Sequence, residues 1–220
     1  MNQFMIVLNL KTYELSIKNA LFFTDVASEV VEETGLRIIV CPPALHLKGA
    51  ADRFSDVFAQ HVDPEKPGAY TGSIPAELLR EVGVKGSLVN HSEKRISVDK
   101  IKLALDSLHT AQLDSIVCAA SSKEAVEFAV FSPVFIAVEP PELIGSGISV
   151  STANPDIVIN TVKAVKETNS KVGVLCGAGV SNKNDVKKSL ELGAEGVLLA
   201  SAFVKAEDPK KFLNELASVF

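Results

Sequence analysis

The chain has 220 residues, 47% of them hydrophobic and 22% charged, with a net charge of −5. That is enough chain to bury a core without disulfide or metal staples, and its acidic balance without any Lys/Arg cluster argues against nucleic acid as a partner. Cys41, Cys118 and Cys176 are odd in number, far apart and free of metal-ligand spacing, and no apolar run approaches the ~18 residues that cross a bilayer. The expectation is a cytoplasmic protein with no disulfide, no metal and no membrane partner.

Short apolar runs alternate with segments of helical spacing. The first run is Phe4–Leu8, followed by a stripe of Phe22, Val26 and Val30 that should stop at Gly35. Runs at Arg37–Val40, Val57–Gln60 and Gly86–Val89 follow, and Ser97 is placed to cap the helix that begins at Val98. Ser115–Cys118 and Val134–Val138 come next, then a stripe of Val158, Val162 and Val165. Val172–Cys176 leads to Ser181, read as the cap of a helix carrying Val186 and Leu190 and ending at Gly193. Gly196–Leu199 precedes a last helix with Phe212 and Leu216. Most runs are rich in Val and Ile and lack polar alternation, which suits strands buried on both faces of a parallel sheet. Eight strand-then-helix units without a linker predict one α/β domain over residues 1–220, a (β/α)8 barrel of eight parallel strands ringed by helices. An open doubly wound sheet would want a glycine fingerprint after the first strand, where Asn9-Leu10-Lys11 stands instead.

A barrel keeps its chemistry at the C-terminal ends of its strands. Those exits carry Asn9 and Lys11, Gln60 and His61, Asn90, His91 and Glu93, then Glu139, Gly177-Ala178-Gly179 and Ala200-Ser201. Lys11 offers a cation for an anionic substrate. His91 and His61 compete as the functional histidine, whereas His46 and His109 fall in helical segments. Glu139 ends an apolar run, where desolvation raises a carboxyl pKa toward that of a neutral-pH base; the plainer reading is an ion pair with Lys11 or Arg95. Pro140-Pro141 is stiff, Glu142-Leu143-Ile144 a short tip and Gly145-Ser146-Gly147 pliable, a composition that suits a lid. The glycines at 177 and 179 and the small residues Ala200-Ser201 would let backbone N–H groups approach a phosphate.

At these residues the chain resembles the triosephosphate isomerase family over nearly its whole length. Asn9-Leu10-Lys11 is similar to the family's Asn-x-Lys, and Asn90-His91-Ser92-Glu93-Lys94-Arg95 to its Gly-His-Ser-Glu-Arg-Arg. Glu139-Pro140 with Ile144-Gly145-Ser146-Gly147 resembles the family's lid, and Gly68-Ala69-Tyr70-Thr71-Gly72 the loop that enters a neighbouring subunit. The resemblance implies a TIM barrel that interconverts dihydroxyacetone phosphate and D-glyceraldehyde 3-phosphate through an enediolate, in glycolysis and gluconeogenesis, with no cofactor. It implies Glu139 as base, His91 as neutral electrophile, Lys11 as cation, Asn9 as orienting group and Glu93 as their support. Asn9, Lys11, Ile144, Gly145, Gly179, Ala200 and Ser201 would contact substrate. Residues Pro140, Pro141, Glu142, Leu143, Ile144, Gly145, Ser146 and Gly147 would form the lid. The chain departs from longer members in having Asn90 for a glycine, no tryptophan, and Ala178 and Ala202 in the phosphate loops. These features resemble the short, archaeal-type branch, which implies a homotetramer rather than a homodimer, with the Thr71 loop at the interface. A sugar-phosphate epimerase would want a second acid facing Glu139, an aldolase a lysine inside a strand, and a non-catalytic barrel no base at all.

Overall fold

The computed structural model describes residues 4–140 and 149–220. The eight strands are β1 (Met5–Asn9), β2 (Arg37–Cys41), β3 (Phe58–Ala59), β4 (Gly86–Val89), β5 (Asp114–Ala119), β6 (Phe135–Val138), β7 (Gly173–Cys176) and β8 (Gly196–Leu199). All pair in parallel, in the order β2-β1-β8-β7-β6-β5-β4-β3. The ring closes between β2 and β3 through the Val40–Val57 bridge and the hydrogen bond from Val40 N to Asp56 O (3.1 Å). Every strand core matches an apolar run of the sequence to within one or two residues.

Alternation along the strands sorts side chains into two populations. Ile6, Leu8, Ile38, Val40, Val117 and Val197 pack outward with helices such as α1 (Glu14–Thr34), α4 (Val98–Thr110) and α5 (Ser122–Ala129). Met5, Val7, Ile39, Phe58, Leu88, Ile116, Phe135, Leu175 and Leu198 fill the barrel interior. Phe58 and Phe135 fit there because Gly86 and Gly173 face them; a Cβ at either glycine would collide with the neighbouring ring. The same parity carries Asn9, Asn90, Cys118, Glu139, Gly177 and Ala200 to the inner rim at the top. At the base it places Arg37 with Asp56 and Asp114: the guanidinium is 2.7 Å from Asp56 and 3.3 Å from Asp114.

Four local expectations differ from the structure. Ser97 stands at the N-cap of α4, but its side chain makes no capping hydrogen bond. The buried stripe of α1 is Phe23, Val26, Ala27 and Val30, while Phe22 is exposed, because the face turns by one residue toward the barrel. In α7 (Pro155–Thr168), Val158 and Val165 are buried and Val162 only partly so. The cap of α8 (Lys183–Glu191) is Asn182, whose side chain accepts from Asn184 N and Asp185 N, and Ser181 instead binds the Asp185 carboxylate. Gly35, at φ 68, ends α1 as expected, in the left-handed conformation that glycine adopts without strain.

Candidate active site

The first exit is built by a local turn. Asn9 Oδ1 accepts from Lys11 N (3.0 Å), and Lys11 takes a left-handed φ of 48. Gln60 Nε2 donates to both Lys11 O (3.0 Å) and Cys41 O (2.9 Å), pinning that turn from β3's exit. The Lys11 ammonium pairs with Glu93 at 2.9 Å, so the lysine is neither loose in solvent nor bound to Glu139.

His91 begins a single 3₁₀ turn over Ser92–Lys94. Its Nδ1 accepts from Glu93 N (3.1 Å), which leaves the ring hydrogen on Nε2 when the imidazole is neutral. Burial, then the nearby Lys11 cation, lower the His91 pKa to about 4 against the opposing pull of Glu93. The ring is therefore neutral at physiological pH and presents an N–H donor. That donor lies 3.7 Å from Glu139 Oε1.

Glu139 follows β6 and is anchored through its backbone, N–H to Ala119 O at 2.8 Å. It is only 2% exposed. Burial raises its pKa to about 7, against the lowering effects of the Cys118 thiol, Lys11 and the Ser92 amide. Its Oε2 has no hydrogen-bond partner among the described residues. Arg95 is committed elsewhere, gripping Glu124 at 2.7 and 3.0 Å. The simple ion pair with Lys11 or Arg95 is thus not formed. Gly177 leaves the carboxylate its room, since a Cβ there would sit 2.6 Å from Glu139 Cγ.

These groups face one cavity of about 410 Å³, lined by Lys11, His91 and Glu139 together with residues 177–181 and 198–202. Gly179 there has φ 71. Helix α9 (Ser201–Val204) starts at Ala200, which offers no capping side chain. No side chain caps its first N–H groups, in contrast to those of α8, which Asn182 occupies. Asn9 and His61 line a neighbouring cavity with Lys11, His91 and Glu93. His61 binds Asp63 (3.0 Å), and Asp63 in turn accepts from Ile74 N (2.8 Å), so this histidine braces its own loop. The lid residues Pro141–Gly147, including Ile144 and Gly145, lie outside the described residues.

The sequence reading missed three contributors to this site. Cys118 stands beside Glu139, and strand alternation along β5 places it at the inner rim. Tyr13 and Lys205 line the cavity, with the ammonium 5.6 Å from the ring centroid, and no strand-exit rule points to either.

A family model for triosephosphate isomerase matches residues 4–218. The chain belongs to the triosephosphate isomerase family. It is 50% identical over 218 residues to the triosephosphate isomerase of Methanothermus fervidus, covering 98% of each chain. It is 47% identical over 214 residues to that of Methanocaldococcus jannaschii, covering 96% of this chain and 98% of the relative. The crystal structure of the enzyme from Bartonella henselae superposes with a TM-score of 0.72 over 96% of this chain and 98% of that one, at 18% identity, which speaks for the barrel fold alone. The chain is accordingly an isomerase.

Proposed function

We propose that Glu139 is the base that moves a proton between the two carbons of a triose phosphate. Dihydroxyacetone phosphate and D-glyceraldehyde 3-phosphate interconvert through an enediolate, the step shared by glycolysis and gluconeogenesis. The observation that carries this reading is the pair of buried, oppositely tuned groups on one cavity: a carboxyl raised to about 7 and an imidazole lowered to about 4, 3.7 Å apart. A carboxylate with that pKa exists at neutral pH and is basic enough to take a C–H proton. The proton leaves carbon, and the negative charge passes to the carbonyl oxygen. His91 Nε2–H donates to that oxygen, and the Lys11 ammonium lowers its energy further. The hydroxyl proton of the neighbouring carbon passes to that oxygen, His91 Nε2 giving one proton and taking the other, and the acid form of Glu139 returns its proton to the adjacent carbon. Asn9 orients Lys11, and Glu93 holds the lysine in place and fixes the imidazole tautomer. The phosphate binds to backbone N–H groups at Gly179, Ala200 and Ser201. Contacts from Ile144 and Gly145, and a lid over Pro140–Gly147 that keeps water from the enediolate, belong to the same proposal and rest on the sequence alone.

Residues 1–220 are read as one barrel domain that works in the cytoplasm without metal or cofactor. Tyr70, 56% exposed on the Gly68–Gly72 loop, is a suitable anchor for a neighbouring copy. The assembly proposed is a homotetramer with the Thr71 loop at its interface. A coupled assay of the purified protein tests the activity: triose phosphate turnover that needs no added metal is expected, and a protein inert toward both triose phosphates would overturn the reading. Light scattering at micromolar concentration tests the assembly, and a monomer would refute it.

A further inference from the structure

Asn90 separates β4 from His91. It is 1% exposed and takes φ 61, a left-handed conformation that costs most side chains energy but that asparagine tolerates. Glycine would satisfy the turn equally well, so the turn alone does not account for the amide. The amide makes two bonds. Nδ2 donates to Cys118 O (3.0 Å), and Oδ1 accepts from Ile96 N (3.1 Å). One partner is a carbonyl and the other an N–H, so the orientation of the amide is fixed by its surroundings.

The two partners belong to different parts of the site. Ile96 N closes the segment 91–95 that carries His91 and Glu93. Cys118 lies in β5, one residue before Ala119, whose carbonyl holds Glu139 N at 2.8 Å. A single buried side chain therefore ties the carrier of the imidazole to the strand that anchors the carboxylate. We propose that Asn90 is a positioning residue, setting His91 relative to Glu139 through this bridge. The proposal rests on the reading of His91 and Glu139 as the reacting pair. Misplacement by about 1 Å can cost on the order of 10²-fold in rate, so a bridge that removes part of that freedom has a measurable effect.

The test uses the full chain with Asn90→Gly and Asn90→Asp. The glycine keeps the left-handed turn and removes both bonds. The aspartate can still accept from Ile96 N but, when ionised, has no proton for Cys118 O. Expected for Asn90→Gly at 25 °C is a kcat lower by about tenfold with KM within about twofold of the parent, because the proposed phosphate contacts at Gly179, Ala200 and Ser201 share no bond with Asn90. In ¹⁵N spectra of the imidazole, His91 should give one sharp Nε2–H tautomer in the parent and a shifted or exchange-broadened signal in the variant. Assayed at pH 9, where the new carboxyl is ionised, Asn90→Asp should show the same kcat loss, since the bond to β5 is gone. Parent-like kcat and His91 signals in Asn90→Gly would overturn the proposal. So would an Asn90→Asp variant that turns over like the parent at pH 9. A parent protein with no isomerase activity would instead refute the functional reading, and the His91 signals would still report whether Asn90 holds the ring.

Discussion

The two ends of the barrel treat buried charge in opposite ways. At the base, Arg37 is half-buried and satisfied, bonded by two nitrogens to Asp56 and by one to Asp114. At the top, Glu139 is almost wholly buried with Oε2 unpartnered among the described residues, and Ser92 Oγ beside it is likewise unpartnered. Lys11 and Glu93, whose charges both act on Glu139, are joined to each other. An unpaired buried carboxylate costs stability, and nothing in folding rewards it. The difference separates the two requirements on this chain: the base end is arranged for stability and the top end against it. Activity and stability should therefore respond in opposite senses to substitution at the two ends.

The sharpest break of that comparison is Glu139→Gln. Size and shape are kept and the proposed base is lost, so kcat should fall on the order of 10²–10⁴-fold or more. The same change should stabilise the fold at pH 8. The wild-type carboxyl is held about 2.5 pH units above its ordinary value, which at about 1.4 kcal/mol per unit is a cost of about 3 kcal/mol when it is ionised. Urea unfolding at pH 8 measures it, and an inactive variant that is also less stable would contradict the account of the top end.

Gly177→Ala tests the space rather than the charge. The new methyl would meet Glu139 Cγ at 2.6 Å, and neither β7 nor β6 can withdraw without breaking its ladder. The carboxylate should be displaced and kcat should fall by about 10²-fold, with secondary structure retained. Circular dichroism together with steady-state kinetics checks both halves, and parent-like turnover would mean that the carboxylate has more room than the geometry allows.

The fold was legible because parallel barrel strands are buried on both faces and read as plain apolar runs, as at Gly86–Val89 and Gly196–Leu199. Errors fell where a helix face had to be phased from sparse apolar residues, as with Phe22 and Phe23, and where adjacent polar residues, Ser181 and Asn182, competed for one cap. In the candidate site, side chains that leave strand ends, His91 and Glu139, could be named from order along the chain. His61 and His91 could not be separated that way, because what distinguishes them is a partner: Asp63 for one, an open cavity for the other. Cys118, Tyr13 and Lys205 were missed because their proximity comes from the pairing of β5 with β6 and of β1 with β8, which order along the chain does not reveal. The amide of Asn90 was visible only as an odd residue in a motif, since its two bonds reach Cys118 and Ile96.

The opposed tuning of Glu139 and His91 has a signature in the pH dependence of stability. Glu139 has a folded pKa above its ordinary 4.5, so the folded state holds the extra proton and stability falls as pH rises from about 4.5 to about 7. His91 has a folded pKa of about 4, below its ordinary 6.5, so the unfolded state holds the extra proton and stability rises over about pH 4 to 6.5. Each slope spans about 3 kcal/mol, and between pH 4.5 and 6.5 they offset. Single substitutions should expose them: relative to the parent, Glu139→Gln should gain stability steadily from pH 5 to 7, and His91→Gln should lose it. Unfolding free energies at pH 5, 6, 7 and 8 read both, and three parallel curves would show that neither group is tuned by its site. Turnover should follow the ionisation of Glu139, rising through about pH 7, with no acid limb from His91 until about pH 4.

The smallest effect expected is at the base. Arg37→Met keeps most of the side chain's apolar length and removes the guanidinium, leaving Asp56 and Asp114 facing each other across the barrel floor. Arg37 is about one-third exposed and Asp114 more so, which places these pairs between exposed and buried ion pairs. A loss of about 1–2 kcal/mol follows, partly from the broken pairs and partly from the repulsion between the two stranded carboxylates. Asp56 lies just before Phe58, so the strain should be felt first where β3, the shortest strand, meets β2 at the Val40–Val57 bridge. Because the bridged residues are separated from the cavity by the layers around Phe58, Ile39 and Leu88, kcat and KM should stay within about twofold of the parent. Screening gives an internal check: raising salt toward 1 M should narrow the stability gap between parent and variant, since part of each pair is exposed to solvent. If Arg37→Met instead lowered kcat while leaving stability unchanged, the base would have to be counted as part of the catalytic machinery, and the division between the two ends would fail.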